Sequence, residues 1–278
     1  MKQSCQSSFV MIGGSGPLPE IIFKQLQDQD WSIKILSLPG SRHEHLDPSC
    51  RQINLHNFLS ELQRCRLEGA QNIVLVGGVN RLDINNEYAA MDNHGSEIAG
   101  GDDKVLRGFL NKIEQLGFKI RGINEFLVDF ITHEGFLTVA QPSALDEIDA
   151  LRAEEIMAAL GQVDVGQATI VRNQICWGLE TGLGTDWMLK SLLEEFVNSQ
   201  STVVPSGLLY KGSKANQDLR VDLPTIGLTT IELVHQLGLA GIVIESNLTI
   251  ILDRPRVIQF ANEKGLFLWS KVKQEVKT

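Results

Sequence analysis

Residues 8–30, SFVMIGGSGPLPEIIFKQLQDQD, pass from a short apolar block through a glycine loop into a helical pattern. Much the same succession recurs along the first two-thirds of the chain, and it is the pattern of strands and crossover helices in a mostly parallel α/β sheet. WSIKILSL reads as a second strand. FLSELQRCRLEGA has Leu59, Leu62 and Leu67 at roughly helical spacing and stops at Gly69. NIVLVGGVNR is a third strand running into a glycine pair, and a helix is expected from Asp103 to Leu116, ended by Gly117. KIRGINEFL then returns to strand.

The texture changes at THEGFLTVAQPSALDEID, where Gly135 and Pro142 interrupt a weakly periodic stretch. An N-terminal Rossmann-like domain is therefore expected over 1–134 and a C-terminal α/β domain with a mixed sheet over 135–278. Ser143 is placed to cap a helix whose apolar stripe is Leu145, Ile148, Ile156 and Leu160. QATIVRNQICWGLE reads as a hairpin turning at Arg172-Asn173. GLGTDWMLKSLLEEF is a glycine loop entering a helix, TTIELVHQLG is a further helix, and GIVIES and TIILD are closing strands.

With 278 residues and 43% hydrophobic content, the chain is long enough for about two buried cores. A net charge of −9 opposes nucleic-acid binding and generic adsorption to anionic lipid, both of which need basic clusters. The C-terminal SKVKQEVKT is broken by glutamate and reads as a solvated tail. No apolar run approaches the roughly 18 residues of a membrane span, and the N-terminus lacks the apolar core of a signal peptide. Cys5, Cys50, Cys65 and Cys176 are scattered without a CxxC pair, which argues for reduced cytosolic thiols. The expectation is a soluble cytosolic protein.

Several stretches have chemistry to offer. GGSGPLP places Gly13, Gly14 and Gly16 between a strand and a helix start, where backbone N–H groups and the helix dipole favour a phosphate. Pro19 stands where the dinucleotide fingerprint needs its third glycine, and no Walker lysine follows, so a plain tight turn is an equal reading. Gly77-Gly78 closes a second turn of this kind. In GGDDKVLRG, Asp102 is a cap candidate, and Asp103 and Arg107 share a helix face; this is either a ligand contact or a surface ion pair. Gln167, with Asp164, stands at the mouth of a strand, and Thr185 or Asp186 at a helix N-terminus, each explicable as capping. His43 and His45 are spaced as metal ligands but are read as belonging to an exposed loop.

NQDLRVDLPTIG, residues 216–227, is the most pointed item. Read as a strand, it sets Asp218, Arg220 and Asp222 on one face and Leu219, Val221 and Leu223 on the other. Two ionised carboxylates beside one arginine leave excess negative charge, to be relieved by a raised pKa or a cation. Mg²⁺ suits such oxygens and typically takes one or two carboxylates plus substrate phosphates, and the planar fork of Arg220 suits a phosphate oxygen. A solvated stripe is the plainer alternative.

Together MIGGSGPLP, VGGVNR, GGDDKVLRGFLNKIEQLGF, DVGQATIV, GLGTDWML and NQDLRVDLPTIG resemble, in order and spacing, the LpxI type of UDP-2,3-diacylglucosamine pyrophosphatase, which acts in lipid A synthesis of Gram-negative bacteria. The resemblance implies a substrate cleft between two domains and Mg²⁺-dependent hydrolysis of the substrate's pyrophosphate. Water would attack the α-phosphorus, releasing UMP and 2,3-diacylglucosamine 1-phosphate. It maps the acidic catalytic region onto Asp218, Arg220 and Asp222, with Asp218 and Asp222 as metal ligands or water activator and Asp103 as a further contributor. Substrate contacts are expected from Gly13, Gly14, Gly16, Gly78, Asp102, Gln167, Thr185 and Asp186. The resemblance also implies a homodimer, and the acyl chains imply peripheral contact with the inner membrane through apolar residues including Trp187. Leu183 departs from the family pattern, which has glutamate there.

Anhydride hydrolysis requires removal of about 8–23 kcal/mol of barrier. A carboxylate base contributes only about 10²–10⁴-fold, so the metal and the arginine are needed as well. A calcineurin-like two-metal design is disfavoured because its GNHD-type stretch is absent. A non-catalytic nucleotide-sugar sensor or carrier on the same scaffold is the alternative from another class.

Overall fold

The computed structural model describes residues 8–54, 56–78, 102–198, 206–214 and 217–273. The chain forms two compact units, one of residues 1–128 with 218–221, the other of 129–217 with 222–278.

The first unit holds a five-stranded, wholly parallel sheet in the order β3-β2-β1-β4-β5. Its strands are β1 (Ser8–Gly13), β2 (Ser32–Ser37), β3 (Arg51–Gln52), β4 (Ala70–Val76) and β5 (Lys119–Ile120). Helices α1 (Leu18–Asp28), α2 (Phe58–Leu67) and α3 (Asp102–Gln115) make the crossovers. β1 is buried along its whole length, as its continuous apolar run requires of a central parallel strand. Val10, Ile12, Leu36, Ile73, Leu110 and Ile113 make a core between sheet and helices. The chain reverses its order of strand addition between β1 and β4, so the crevice at their carboxyl ends is the natural ligand position in such a sheet.

The second unit holds a six-stranded mixed sheet, β6-β13-β11-β9-β7-β8. β9 (Leu208–Lys211), β11 (Gly241–Glu245) and β13 (Phe267–Lys271) are parallel, while β6 (Gly135–Phe136), β7 (Ala168–Arg172) and β8 (Ile175–Leu179) run antiparallel to their neighbours. β10 (Thr225–Ile226) and β12 (Ile250–Ile251) form a separate parallel pair. Helices α4 (Ala144–Gly161), α5 (Thr185–Asn198), α6 (Leu228–Gln236) and α7 (Arg254–Lys264) complete it. The mixed α/β reading, with a parallel sheet in one half and a mixed sheet in the other, is thus what the chain adopts. No described helix is long and apolar enough to cross a membrane.

Three local readings are corrected. Ser143 does cap α4, its hydroxyl accepting from the Asp146 N–H, but the buried face of that helix is Asp146, Asp149, Ala150, Ala153, Glu154 and Met157. Leu145 and Ile148 are exposed, so the first half of the stripe read from hydrophobicity faces outward, while Ile156 packs against the core and Leu160 is half-buried. Small alanines let α4 approach the sheet, and its buried acids have specific partners. The Glu154 carboxylate accepts from Lys271 Nζ at 2.5 Å, and Asp149 accepts from the backbone N–H groups of Asn173 (2.9 Å) and Gln174 (2.6 Å).

Those last bonds bear on the second correction. The hairpin turns at Asn173-Gln174, one residue later than read, because both adopt positive φ (51° and 62°), the geometry a two-residue turn needs to match strand twist. The buried carboxylate of Asp149 holds a turn without the usual glycine. The third correction concerns 216–227: within its described part, 218–221 is a turn closed by Val221 N–H donating to Asp218 O at 3.1 Å, and only Thr225–Ile226 is strand. The single-face argument for Asp218, Arg220 and Asp222 fails with it.

Asp149→Ala would leave two turn N–H groups without their acceptor. It is expected to destabilise the protein by about 2–4 kcal/mol in urea unfolding, against about 0.5 kcal/mol for Leu151→Ala on the outward face.

Candidate active site

In the first unit the two glycine loops clasp each other at the carboxyl ends of β1 and β4. Gly14 N–H donates to Val76 O, Ser15 N–H to Gly78 O and Gly78 N–H to Ser15 O, each at 2.8 Å. A Cβ on Gly14 would lie 2.2 Å from Gly78 O, so no larger residue fits without moving backbone. Gly16 differs: its φ is +89°, a conformation favouring glycine, and an added Cβ would meet nothing within 4 Å. The loop therefore directs the N–H groups of residues 14 and 15 into the clasp. Gly16 and Pro17, just ahead of α1, are exposed, whereas Pro19 in its first turn is buried against the Gly77 loop.

His43 corrects the exposed-loop reading. It is 5% exposed, with Nδ1 2.8 Å from the Ser37 hydroxyl and its ring against Gly13. Burial holds its pKa below the usual histidine value, opposed by a hydrogen bond with the Gly14 backbone. His45 is exposed. His43 thus props the glycine loop from beneath, a role that the pair of histidines in SRHEHLD does not reveal.

The 218–221 turn, counted with the first unit, is organised by Arg220. Its Nε donates to Asp218 Oδ1 at 3.0 Å, one Nη to Asp218 Oδ2 at 2.8 Å and the other to Glu114 Oε1 on α3 at 2.7 Å. Ile123 N–H donates to Arg220 O at 3.0 Å, and Val221 packs against the first unit's core. The guanidinium holds the Asp218 carboxyl below the ordinary carboxylate range, and the two acids raise the pKa of Arg220. α3 begins at Asp102 and Asp103, whose side chains lie outside the described residues, as do Gly100 and Gly101.

In the second unit, strand direction gathers polar groups on one sheet edge. Lys211, Glu245 and Lys271 end the parallel strands; Gln167 precedes β7 and Glu180 follows β8 on the same edge. Thr185, opening α5, donates to Glu180 and accepts from Lys211, all three being less than a tenth exposed. Lys214 pairs with Asp164, and Glu245 accepts from the Ser213 N–H (2.5 Å) and hydroxyl (2.7 Å). Gln217 donates through Nε2 to Gln167 Oε1 at 3.2 Å and to Asp222 O at 2.9 Å. Asp186 instead accepts from Thr230 on α6 at 3.2 Å.

The structure thus assembles Gln167, Thr185 and the Asp222 backbone along one edge. It groups Asp218 with Arg220 and Glu114, and gathers Gly13, Gly14, Gly16 and Gly78 at another edge. Sequence reasoning passed over Lys211 and Lys214. Their signal was a KGSK stretch ending the apolar run GLLY, since a lysine closing a buried strand needs a buried partner. Glu114 gave no signal at all. Among the described residues no group of three or more His, Cys, Asp or Glu is spaced to hold a metal ion.

A two-unit α/β protein, with a Rossmann-like sheet carrying paired glycine loops and a mixed sheet carrying a lysine- and acid-rich edge, is the class these features define. Comparison with known families narrows it. Residues 8–130 match the model of the LpxI N-terminal domain and 133–269 that of the LpxI C-terminal domain. The chain is 30% identical over 278 residues to the UDP-2,3-diacylglucosamine pyrophosphatase LpxI of Caulobacter vibrioides, covering 95% of this chain and 98% of that one. The protein belongs to the LpxI family. Among solved structures, the leucoanthocyanidin reductase–NADPH complex of Vitis vinifera is similar at 18% identity over 41% of this chain and 48% of that one, with a TM-score of 0.24, and carries no argument here.

Since the folded-state pKa of Asp218 is depressed, its pairing stabilises the fold above the unfolded carboxyl value of about 3.9 and is lost as pH falls through the folded value. Thermal melts should show wild type above Asp218→Asn at pH 7, with the gap closing below about pH 4. A gap that is constant down to pH 2.5 would refute the pairing.

Proposed function

We propose that this protein hydrolyses the pyrophosphate bond of UDP-2,3-diacylglucosamine, giving UMP and 2,3-diacylglucosamine 1-phosphate in lipid A biosynthesis. The observation that carries the reading is the end-to-end match to a relative named for that activity, across both domains in order.

The proposed chemistry is attack of water on the α-phosphorus with Mg²⁺ as cofactor. When bound, the ion would supply charge neutralisation at the diphosphate and make a nearby water more acidic. Asp222 is the motif's first candidate to hold it, with Asp103 as a further contributor and Asp218 and Arg220 completing the acidic segment. Gln167, tied to Asp222 through Gln217, would orient the reacting end of the substrate. Lys211, held in place by Glu180 and Thr185, would face the substrate's negative charge from that edge. Gly13, Gly14, Gly16 and Gly78 shape the loops proposed to accept the nucleotide, with Asp102 and Asp186 as further substrate contacts. The clasped geometry favours Gly16 and the start of α1 as the part that meets an anion.

A lipid substrate also needs a route from the bilayer. We propose peripheral contact with the membrane through Trp187 (51% exposed) and Leu183 (50% exposed), with a homodimer as the working assembly. Exposed tryptophan suits the interface between headgroups and acyl chains. In vesicle flotation, the wild-type chain should rise with liposomes and Trp187→Ala/Leu183→Ser should remain behind. Equal recovery of both in the soluble fraction removes this contact.

Purified protein given UDP-2,3-diacylglucosamine and Mg²⁺ should release UMP; EDTA should stop it, and Mg²⁺ in excess should restore it. Asp222→Ala should lower turnover by at least about 10²-fold while melting within a few degrees of wild type. Binding of substrate without turnover in excess Mg²⁺ would replace the hydrolase reading with that of a nucleotide-sugar sensor.

A further inference from the structure

We infer that Gln217 is a positioning residue that locks the side-chain amide of Gln167 with its nitrogen outward, and that this nitrogen donates to a phosphate oxygen of the diphosphate. The inference rests on the hydrolase reading and deepens it, giving one atom of the second unit's polar edge a chemical group of the substrate to meet. Gln167, Lys214, Gln217 and Asp222 all belong to that unit.

A glutamine amide has an acceptor end and an end with two N–H donors, and a half-turn of the group exchanges them. The surroundings of Gln217 fix its orientation, because two of its partners are backbone groups that cannot reverse. The Lys214 N–H donates to its Oε1 at 2.9 Å, and its Nε2 donates to the Asp222 carbonyl at 2.9 Å. The oxygen must therefore face Lys214 and the nitrogen Asp222. The second hydrogen on that nitrogen is directed at the Gln167 side chain, at 3.2 Å, and requires an acceptor there. Gln167 meets the requirement only by presenting Oε1, which turns its own two N–H groups the other way.

Gln167 is held for such a role. It is 8% exposed, its backbone carbonyl accepts from the Gly212 N–H at 3.0 Å, and it stands immediately before β7 on the edge where Lys211 ends its strand. Among the described residues its Nε2 meets no acceptor, and it is not one of the side-chain atoms sealed from solvent. Donors on a largely buried side chain need a partner, and here the partner has to come from outside the chain. A phosphate offers acceptors only, and an anionic acceptor bonds an amide N–H more strongly than a neutral carbonyl does. The neighbouring loop favours the anion too. Lys273 Nζ donates to Ser213 O at 3.1 Å, one residue beyond the Gly212 that bonds Gln167, and among the described residues no carboxylate forms an ion pair with it.

Two measurements on the full chain test this. The first follows the side-chain amide signal of Gln167 by ¹⁵N NMR, assigned through its loss in Gln167→Glu. With Mg²⁺ present, inorganic pyrophosphate should move that signal and uridine should leave it in place. A signal that ignores pyrophosphate, or that follows uridine instead, overturns the phosphate contact. The second compares pyrophosphate affinities by calorimetry. Gln167→Glu, which sets an oxygen where the outward nitrogen was, should bind about 10–100-fold more weakly. Gln217→Glu keeps the acceptor for Lys214 but has no donor left, so Gln167 has to turn its nitrogen inward, and affinity should fall at least about tenfold. Gln217→Met imposes neither orientation and should cost less than about fivefold. In a Gln167→Met background, Gln217→Glu should cost less than about twofold more, because no amide remains to be turned. A purely structural Gln217 would weaken binding equally as Glu or Met and in both backgrounds, and that result removes the positioning role. Neither readout needs turnover. Binding with these ratios but without UMP release counts against the hydrolase reading, whereas UMP release with an unmoved Gln167 signal counts against this inference alone.

Discussion

Parallel strand pairing is the constraint on which the rest of this protein depends. β1 pairs in parallel with both β2 and β4, and β11 with both β9 and β13, so the carboxyl ends of neighbouring strands emerge on one edge of each sheet. Every strand then needs a crossover, and each loop leaving that edge joins the same neighbourhood. The glycine clasp of the first unit and the Lys211, Glu245 and Lys271 edge of the second both follow. Neither is a local motif: each is a set of residues far apart in the chain, brought to one line by register.

The second unit pays a desolvation cost for that gathering, and it offsets the cost by pairing. Lys211 with Glu180, Lys214 with Asp164 and Lys271 with Glu154 are each largely removed from water, where an isolated charge would be costly. Burial raises the Glu154 pKa even with Lys271 beside it. Such pairs give little net stability, but removing one partner leaves a buried charge uncompensated, so they hold geometry tightly. That suits an edge proposed to receive a charged substrate, since preset charges need little reorganisation when the substrate arrives.

The legible parts of the fold were those written in local pattern. The continuous apolar run of β1, the glycine stops at Gly69 and Gly117 and the Ser143 cap each depend on a few adjacent residues, and each was readable. The first turns of the helix that Ser143 opens were read with the wrong face inward, because hydrophobicity ranks Leu145 and Ile148 above Asp149 and Glu154. It contains nothing about the hairpin N–H groups and the lysine that those acids meet. The turn at Asn173-Gln174 was missed by one residue for the same reason, its unfavourable conformation being supported by Asp149 from 24 and 25 residues away. The alternation that set Asp218, Arg220 and Asp222 on one face presumed a strand. A local Asp218–Arg220 bond and the distant Glu114 favour a turn instead.

Order and spacing of motifs along the chain determined the α/β class, the division into two halves and the family, because these depend on which residue types succeed one another. Which carboxylate faces which cation was decided only in the folded molecule. Charge pairing acts across a few ångströms of space and is indifferent to separation in sequence, so the roles of Glu114, Asp149 and Lys211 came into view only with their partners beside them.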